Sequence, residues 1–159
     1  MKKAYISHKV LITLAFFIML IDQLSKYFAI NLLKENFIIK IIPNLIQLRL
    51  ARNTGAAFSI LSERTSFLSF ISLFFTMSII IWLLRSKLVE LWLGTSLSFL
   101  LGGTIGNGID RFRLGYVNDF IEIVPINFPI FNFADIAINI GLIFFLVDII
   151  KKKNEESIF

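Results

Sequence analysis

The sequence contains no cysteine and only one histidine, His8. No disulfide, thiol nucleophile or cysteine-held metal can form without cysteine. His8 lies in a basic N-terminal stretch, where we expect it to be solvated and to take no part in catalysis. The chemistry left to consider is that of carboxylates, without metal ligands of the histidine or cysteine kind.

Charged residues are also few, at 17% of a 159-residue chain that is 57% hydrophobic. Soluble domains are about 45–50% apolar, so this composition predicts a multi-pass membrane protein of one domain. The formal net charge is +5, but most basic residues flank apolar runs. There they orient a membrane protein and contact lipid head groups. Membrane lipids are therefore expected partners, and nucleic acid is not.

Four apolar runs predict four membrane-spanning helices, because about 20 residues cross the hydrocarbon core. We expect them at about residues 10–30, 67–84, 89–107 and 130–150. The first follows a basic N-terminus, as in a secretory signal peptide. No small-x-small cleavage site follows it, so we interpret it as an uncleaved helix. The expected fold class is an all-α membrane protein with one integral-membrane domain over residues 1–159.

Residues 37–52 have a different periodicity. Apolar residues occupy alternate positions from Ile46 to Leu50, which is typical of a β-strand. Pro43 and Asn44 indicate a turn before it. Open strand edges are not stable within lipid. We therefore add to the fold a small extracytoplasmic β-sheet that lies on the outer leaflet.

Four spans place both termini on one side of the membrane. Basic clusters flush with the span ends favour the cytoplasm for that side. The polar residues that this orientation brings near the outer leaflet are Asp22, Asn53, Asn107, Arg111, Asp119, Asn132 and Asp135. Because scattered structural residues have no reason to gather at one end, this convergence indicates a single site. Asp148 is expected at the opposite interface, in a structural role.

Two aspartates are central to that site: Asp119 in V-N-D-F and Asp135 in F-N-F-A-D. Asp135 precedes a long apolar run, and Pro129 suits the start of its helix. An ionisable group in a membrane helix is costly and is a functional-site candidate. We expect Asp119 to be held by a loop. The simpler interpretation of either aspartate alone is a helix cap or an ion-pair partner.

Two carboxyls within a few ångströms cannot both ionise easily, so they share a proton. The charged member can activate a water molecule while the protonated member polarises a scissile carbonyl. The positive end of a helix favours the anion on Asp135. The titration belongs to the pair, so the sequence does not decide which aspartate is the acid.

Three other features have both structural and functional interpretations. Asp22 and Lys26 are four residues apart and share a helix face, either as an ion pair or as part of the site. Gly102 and Gly106 form a small-xxx-small pair that is typical of helix packing. Arg111 either pairs within the fold or holds a substrate carbonyl or lipid head group through its fork of donors.

Five short motifs occur in an order that resembles the type II (lipoprotein) signal peptidases, the bacterial membrane aspartic peptidases. They are D-Q-L-S-K, N-T-G-A-A-F, G-N-G-I-D-R, V-N-D-F and F-N-F-A-D, and the resemblance spans about residues 11–150. It implies removal of signal peptides from diacylglyceryl-modified prolipoproteins, with cleavage just before the lipidated cysteine. It also implies a bacterial cytoplasmic (inner) membrane location, no cofactor and no metal. Lipidated prolipoproteins and the inhibitor globomycin are implied as partners, and we expect a monomer.

The resemblance also implies a role for each matching residue. The implied catalytic dyad is Asp119 and Asp135. Residues implied to contact the substrate or inhibitor are Asn107, Arg111 and Asn132. Residues implied to support the site are Asp22, Lys26, Asn53 and Gly55.

Two other functions are weighed against the peptidase. A small proton- or ion-coupled transporter could relay protons through Asp135 and Asp22, and a structural subunit could pack through Gly102 and Gly106. A transporter is expected to show an internal repeat with paired broken helices, and the sequence has none. A structural subunit does not need both Asp119 and Asp135.

Overall fold

The computed structural model describes residues 4–33, 37–55, 64–126 and 128–156. These residues are mostly helical. The helices are α1 (His8–Leu32), α2 (Thr65–Arg85), α3 (Leu91–Leu114) and α4 (Phe133–Glu156), with a short 3-10 turn at Val124–Ile126. The strands are β1 (Tyr5–Ile6), β2 (Ile38–Ile42), β3 (Ile46–Asn53), β4 (Val89–Glu90) and β5 (Val117–Ile123).

Among the described residues, three helices are long and apolar enough to cross a membrane, namely α1, α2 and α4. The helix predicted at 89–107 is present as α3, but its composition does not reach the same apolarity. The reason lies in its position, because α3 packs against α1, α2 and α4. A helix surrounded by other helices is rich in small residues that allow close approach, and α3 alternates leucine with glycine, serine and threonine.

The C-terminal end of α3 extends beyond the predicted boundary, to Leu114. Gly115 ends it in a left-handed conformation with φ of 78°, and its N–H donates to the Arg111 carbonyl at 3.1 Å. Glycine is favoured at such an end because it has no side chain to clash. As a consequence, Asn107 and Arg111 both project from regular helix.

Glycines on α3 bring the helix backbones close together. A Cβ on Gly102 would lie 2.7 Å from the backbone oxygen of Ala15 in α1, and one on Gly103 would lie 2.6 Å from that of Ala134 in α4. Neither approach leaves room for a side chain. The packing role predicted for Gly102 is therefore confirmed, and Gly103 extends it to the start of α4.

The larger sheet is antiparallel, in the order β2-β3-β5. A turn at Asn44, with φ of 60°, joins β2 to β3, as the sequence predicted. Strand β5 was not predicted, and the expectation that a loop holds Asp119 is wrong. Asp119 pairs with Ala51 in the β3–β5 ladder. Residues 117–120 are all buried, so the strand lacks the alternation that marks a half-exposed one.

A second small sheet lies at the other end of the bundle. There β1 pairs with β4, so that Ile6 lies opposite Val89. This pairing fixes the N-terminal segment against the connection between α2 and α3. His8 follows β1 and is half-buried, which differs from the solvated position expected for it.

The glycine contacts generate a prediction for Gly102→Ala. The added methyl group meets the Ala15 backbone, which cannot move aside as a flexible side chain does. Overpacking of this kind costs about 1–3 kcal/mol, so we expect a lower midpoint in thermal unfolding of the protein in detergent micelles.

Gly108→Ala is the matched control on the same helix. Its Cβ would lie 3.5 Å from the Ser72 Cβ, an ordinary contact. Alanine also favours helix by about 0.5–1 kcal/mol relative to glycine. The Gly108 variant should therefore unfold at or above the wild-type midpoint. An equal fall in both variants would contradict the close-packing interpretation of Gly102.

Candidate active site

The start of α4 is folded back beside β5. The Phe131 N–H donates to the Ile121 carbonyl at 3.0 Å, and the Ile121 N–H donates to the Phe131 carbonyl at 2.9 Å. This bridge places the first turn of α4 next to Asp119. Pro129 lies in the extended segment that forms the bridge, so its predicted role as a helix start is wrong, and α4 begins at Phe133.

Asn132 and Asp135 cap α4 reciprocally. The Asp135 N–H donates to the Asn132 Oδ1 at 3.0 Å, and the Asn132 N–H donates to the Asp135 Oδ2 at 3.1 Å. This is the geometry of a capping box, which satisfies two backbone donors that a helix end leaves open. The Asp135 carboxylate is thereby fixed at the positive end of the helix, where an anion is stabilised.

The side chain of Asn132 also reaches the other acid. Its Nδ2 donates to the Asp119 Oδ1 at 2.6 Å and to the Asn107 Oδ1 at 3.1 Å. Asn132 is fully buried, and it holds both carboxylates within one network. Its predicted contact with substrate stays a prediction, since in this structure its amide bonds only to the protein.

Asp119 is buried and accepts a second hydrogen bond. The Asn53 Nδ2 donates to the Asp119 Oδ2 at 2.9 Å, and the Gly55 N–H donates to the Asn53 Oδ1 at 2.9 Å. Burial and the nearby charge of Asp135 raise the pKa of Asp119 from 3.8 to about 6, although the two amide donors oppose the shift. Asp119 therefore stays protonated to a higher pH than an ordinary aspartate.

Asn107 completes the support of Asp135 from α3. Its Nδ2 donates to the Asp135 Oδ1 at 2.8 Å, so both oxygens of that carboxylate are hydrogen-bonded. The Asn107 Oδ1 accepts from Lys26 at 2.8 Å as well as from Asn132. All of its acceptor capacity is used within the protein.

Arg111 lies one helical turn further along α3. Its Nη2 donates to the Gly55 carbonyl at 3.1 Å, and its charge interacts with those of Asp135 and Asp119. The Arg111 Nε is buried and has no hydrogen-bond partner among the described residues. A buried donor without a partner is costly, and because this N–H is buried an acceptor can reach it only if the Arg111 side chain moves.

A cavity of about 930 Å³ opens onto these groups. Its polar wall is formed by Asn53, Gly55, Asn107, Arg111, Asp119 and Asp135. Its apolar wall continues along α2 and α4 through Ile71, Phe75, Ile138, Ile140 and Ile143. The lining of this cavity suits a ligand that has both a polar backbone and a long apolar part.

A buried ion cluster lies behind the polar wall. The Lys26 Nζ is 2.8 Å from the Asp22 Oδ2 and 3.4 Å from the Asp110 Oδ2. The ion pair predicted for Asp22 and Lys26 is therefore present, and it lies next to the site. A Cβ on Gly106 would lie 2.5 Å from the Asp22 Oδ2, so this glycine makes room for the cluster.

The structure thus brings together every residue that the sequence singled out for the site. Their binding and catalytic roles stay predictions. Within the motif N-T-G-A-A-F, residues 56–58 lie outside the described residues. Gln23 and Asn118 also join the buried network beside Asp110, and the sequence singled out neither of them for the site. Their only signal was membership of the same short motifs.

Comparisons with known proteins agree on one family. The signal peptidase (SPase) II family profile matches residues 14–151. A lipoprotein signal peptidase of Parasynechococcus marenigrum (strain WH8102) is 48% identical over 139 residues, which are 87% of each chain. One of Synechococcus sp. (strain RCC307) is 40% identical over 137 residues, covering 86% of this chain and 91% of the relative.

Solved structures lead to the same conclusion. A bacterial membrane enzyme, solved by the in meso method at 2.3 Å resolution, superposes with a TM-score of 0.88 at 29% identity. The match covers 98% of this chain and 96% of that chain. The likeness is therefore of whole proteins, and with the sequence matches it shows that this membrane-embedded chain belongs to the signal peptidase II family, the lipoprotein signal peptidases.

Proposed function

We propose that this chain is an aspartic endopeptidase that removes signal peptides from diacylglyceryl-modified prolipoproteins by cleaving before the lipidated cysteine. Membership of the lipoprotein signal peptidases supports removal of signal peptides from prolipoproteins. The observation that carries the chemistry is Asn132, which hydrogen-bonds to both Asp119 and Asp135 beside one cavity. Two carboxyls held together in this way can act as general acid and general base.

The environments of the two acids suggest how the roles are divided. Asp119 acts in its protonated form, which burial maintains up to about pH 6, and Asp135 acts as the anion, placed at the positive end of α4. Asp135 takes a proton from a water molecule, whose oxygen attacks the scissile carbonyl. Asp119 gives its proton to the carbonyl oxygen, which produces a tetrahedral intermediate.

Collapse of the intermediate reverses both transfers. Asp119 takes back the proton from the hydroxyl oxygen as the carbonyl re-forms. Asp135 gives its proton to the leaving amine as the carbon–nitrogen bond breaks. The pair ends with one proton, as it began, and water has been added across the peptide bond.

Substrate binding is proposed at the polar wall of the cavity. The guanidinium of Arg111, which lines the cavity, is suited to a peptide carbonyl of the substrate or of globomycin, and Asn107 presents its amide at the same wall. Asn132 then acts by holding the two acids, with Asn53 and Gly55 fixing the β3 side of the site.

The membrane arrangement follows from the same proposal. A lipidated cysteine lies at the membrane boundary, so the acids must lie near the outer leaflet, with the termini in the cytoplasm. The hairpin of β2 and β3 supports this placement, because it exposes a group of large apolar side chains, namely Ile38, Ile41, Ile42 and Leu45. A monomer suffices, since one chain contains every residue proposed for the site.

The direct test replaces each acid. Asp119→Asn and Asp135→Asn each remove a group that transfers a proton, which typically contributes 10²–10⁴-fold. We therefore expect cleavage of a diacylglyceryl prolipoprotein to fall by at least about 100-fold. The measurement is a gel-shift assay on protein purified in detergent micelles.

Asp148→Asn is the matched control. Asp148 is buried like Asp119 but pairs with Lys152 at 2.8 Å, near the opposite end of α4. This variant should keep most of its activity. Substantial cleavage by either dyad variant would remove the proposed mechanism, whereas an inactive Asp148 variant would show that the loss is not specific to the site.

The pKa of Asp119 predicts two pH effects. A proton held up to about pH 6 is lost above it, so the rate limited by this acid should fall about tenfold per pH unit above that point. Between 3.8 and about 6 the native state also binds more protons than the unfolded state. The free energy of unfolding should therefore decrease as the pH rises through this window.

The Asp119→Asn variant tests the pH dependence of stability separately from activity. Thermal unfolding of the wild type between about pH 4 and 6.5 should show a falling midpoint. The amide introduced by the substitution does not titrate, so the variant should lack that part of the slope. Identical slopes in the two proteins would mean that Asp119 does not hold its proton in this range.

Arg111→Lys tests the substrate contact. Lysine keeps the charge but has no planar fork and no Nε equivalent. We expect kcat/KM to fall by about tenfold, the effect of one lost hydrogen bond to a charged group. Arg113→Lys on the exposed side of α3 is the control and should change little. Near-full activity of the Arg111 variant would indicate that only its charge matters.

A further inference from the structure

The ammonium of Lys26 is buried at the junction of three helices and the start of β5. Only 3% of its side chain is exposed. Its Nζ lies 2.8 Å from the Asn107 Oδ1, 2.8 Å from the Asp22 Oδ2 and 3.4 Å from the Asp110 Oδ2. An ammonium has three donors, so each of them has a partner.

Each partner of Lys26 leads to one of the proposed catalytic acids. Asn107 donates from its Nδ2 to the Asp135 Oδ1 at 2.8 Å. Asp22 accepts at its Oδ1 from the N–H of Ala134, the residue before Asp135, at 2.8 Å.

The third partner leads to the other acid. Asp110 accepts at its Oδ2 from the N–H of Asn118 at 3.0 Å. Asn118 precedes Asp119 on β5. One cation therefore connects the segments that carry both members of the dyad, although Lys26 itself is absent from the cavity wall.

The contact between Lys26 and Asn107 also fixes which way the side-chain amide of Asn107 points. Lysine can only donate, so the Asn107 Oδ1 must face Lys26, and the Nδ2 must then face Asp135. Asn132 donates to the same Oδ1 at 3.1 Å, which reinforces this orientation. Without the cation, a reversed amide would place its oxygen against the Asp135 carboxylate.

Stability alone does not account for such a cluster. Burying ions is expensive, and replacing a buried ion pair by apolar residues of similar volume is often neutral or stabilising. Here two carboxylates and one ammonium are retained, with the Gln23 Nε2 donating to the Asp110 Oδ1 at 3.2 Å. A role in positioning the site residues explains the presence of these buried charges better than a role in stability.

We propose that Lys26 is a positioning residue, which orients the Asn107 amide and sets the placement of Asp119 and Asp135 without touching the substrate. This inference rests on the proposed function of the two aspartates. It assigns to the first motif, D-Q-L-S-K, a defined task at the reacting centre.

The test is Lys26→Met, which removes the charge and keeps an unbranched side chain. A misplaced catalytic group can cost about 100-fold, so we expect kcat for a diacylglyceryl prolipoprotein to fall by about that factor. KM should stay within about twofold, because the cavity wall is unchanged. A raised KM with wild-type kcat would overturn the proposal.

Lys152→Met is the matched control. Lys152 also forms an i, i+4 pair with an aspartate at 2.8 Å and lies near a second carboxylate, Glu90, at 3.7 Å. It differs in being 41% exposed and in lying near the opposite end of the bundle from the dyad. This variant should keep wild-type kcat and KM. A loss of kcat equal to that of Lys26→Met would mean that the effect is not one of position.

A second variant separates positioning from folding. Lys26→Met leaves Asp22 as a buried charge without its cation, which destabilises a protein strongly. Asp110 also loses this cation but keeps the Gln23 Nε2 and the Asn118 N–H as donors. The double variant Lys26→Met with Asp22→Asn removes that charge and keeps an oxygen for the Ala134 N–H. We expect its thermal midpoint to recover while its kcat, per monodisperse molecule, stays about 100-fold low. Recovery of kcat together with stability would show a structural role, and so would a double variant that does not fold.

One readout is independent of cleavage. Side-chain amide exchange in the ¹⁵N-labelled protein reports whether the Asn107 NH₂ is held. We expect this amide to exchange slowly in the wild type and at least about tenfold faster in Lys26→Met. If the wild type does not cleave the lipidated substrate, the proposed function fails while this exchange still decides the positioning role. If the wild type cleaves and the exchange is unchanged, the positioning role alone fails.

Discussion

The reciprocal hydrogen bonds between Asn132 and Asp135 are the interaction on which the rest of the site depends. An ordinary cap contributes about 1 kcal/mol to a helix, and α4 is long enough to form without it. Here the cap does more, because the same asparagine side chain reaches Asp119. The helix start therefore fixes both carboxylates through one buried residue, and any shift of α4 along its axis moves one acid relative to the other.

That arrangement requires α3 to approach both neighbouring helices closely. Gly102 and Gly103 remove the side chains that would hold α1 and α4 away, and Gly106 leaves space for the Asp22 carboxylate. The close approach lets Asn107 on α3 reach Asp135 on α4 and Lys26 on α1. Polar groups in an apolar bundle are stable only when their hydrogen bonds are satisfied, so the glycines are a condition for the polar network.

The outline of this protein could be predicted from its sequence, and its details could not. The apolar runs predicted the helices because their signal is local, and the gathering of Asp22, Asn107 and Asp135 at one end of the bundle followed from counting spans. Strand β5 depends on pairing with β3, which is distant in the chain, and its start is buried without alternation. Asp119 was therefore expected in a loop. Pro129 was expected to start α4, but the bridge to Ile121 holds it in extended chain.

Side-chain hydrogen bonds are further beyond the reach of local patterns. The spacing of Asp22 and Lys26 predicted an ion pair, yet nothing in the spacing shows that Lys26 also bonds to Asn107. The central helix α3 was predicted to span the membrane like the others. Its serines, threonines and glycines allow contact with three neighbouring helices. These residues lower the mean hydropathy of α3, so hydropathy alone does not distinguish it as a membrane span.

In the proposed function, the apolar wall of the cavity explains why the acids lie where they do. A diacylated cysteine is confined to the membrane boundary by its acyl chains, so its peptide bond arrives at a fixed depth. Acyl chains between α2 and α4 would align that bond with Asp119 and Asp135, and such alignment supplies a large share of an amide-hydrolysis barrier. Specificity can then come from the lipid anchor and from a few donors such as Arg111.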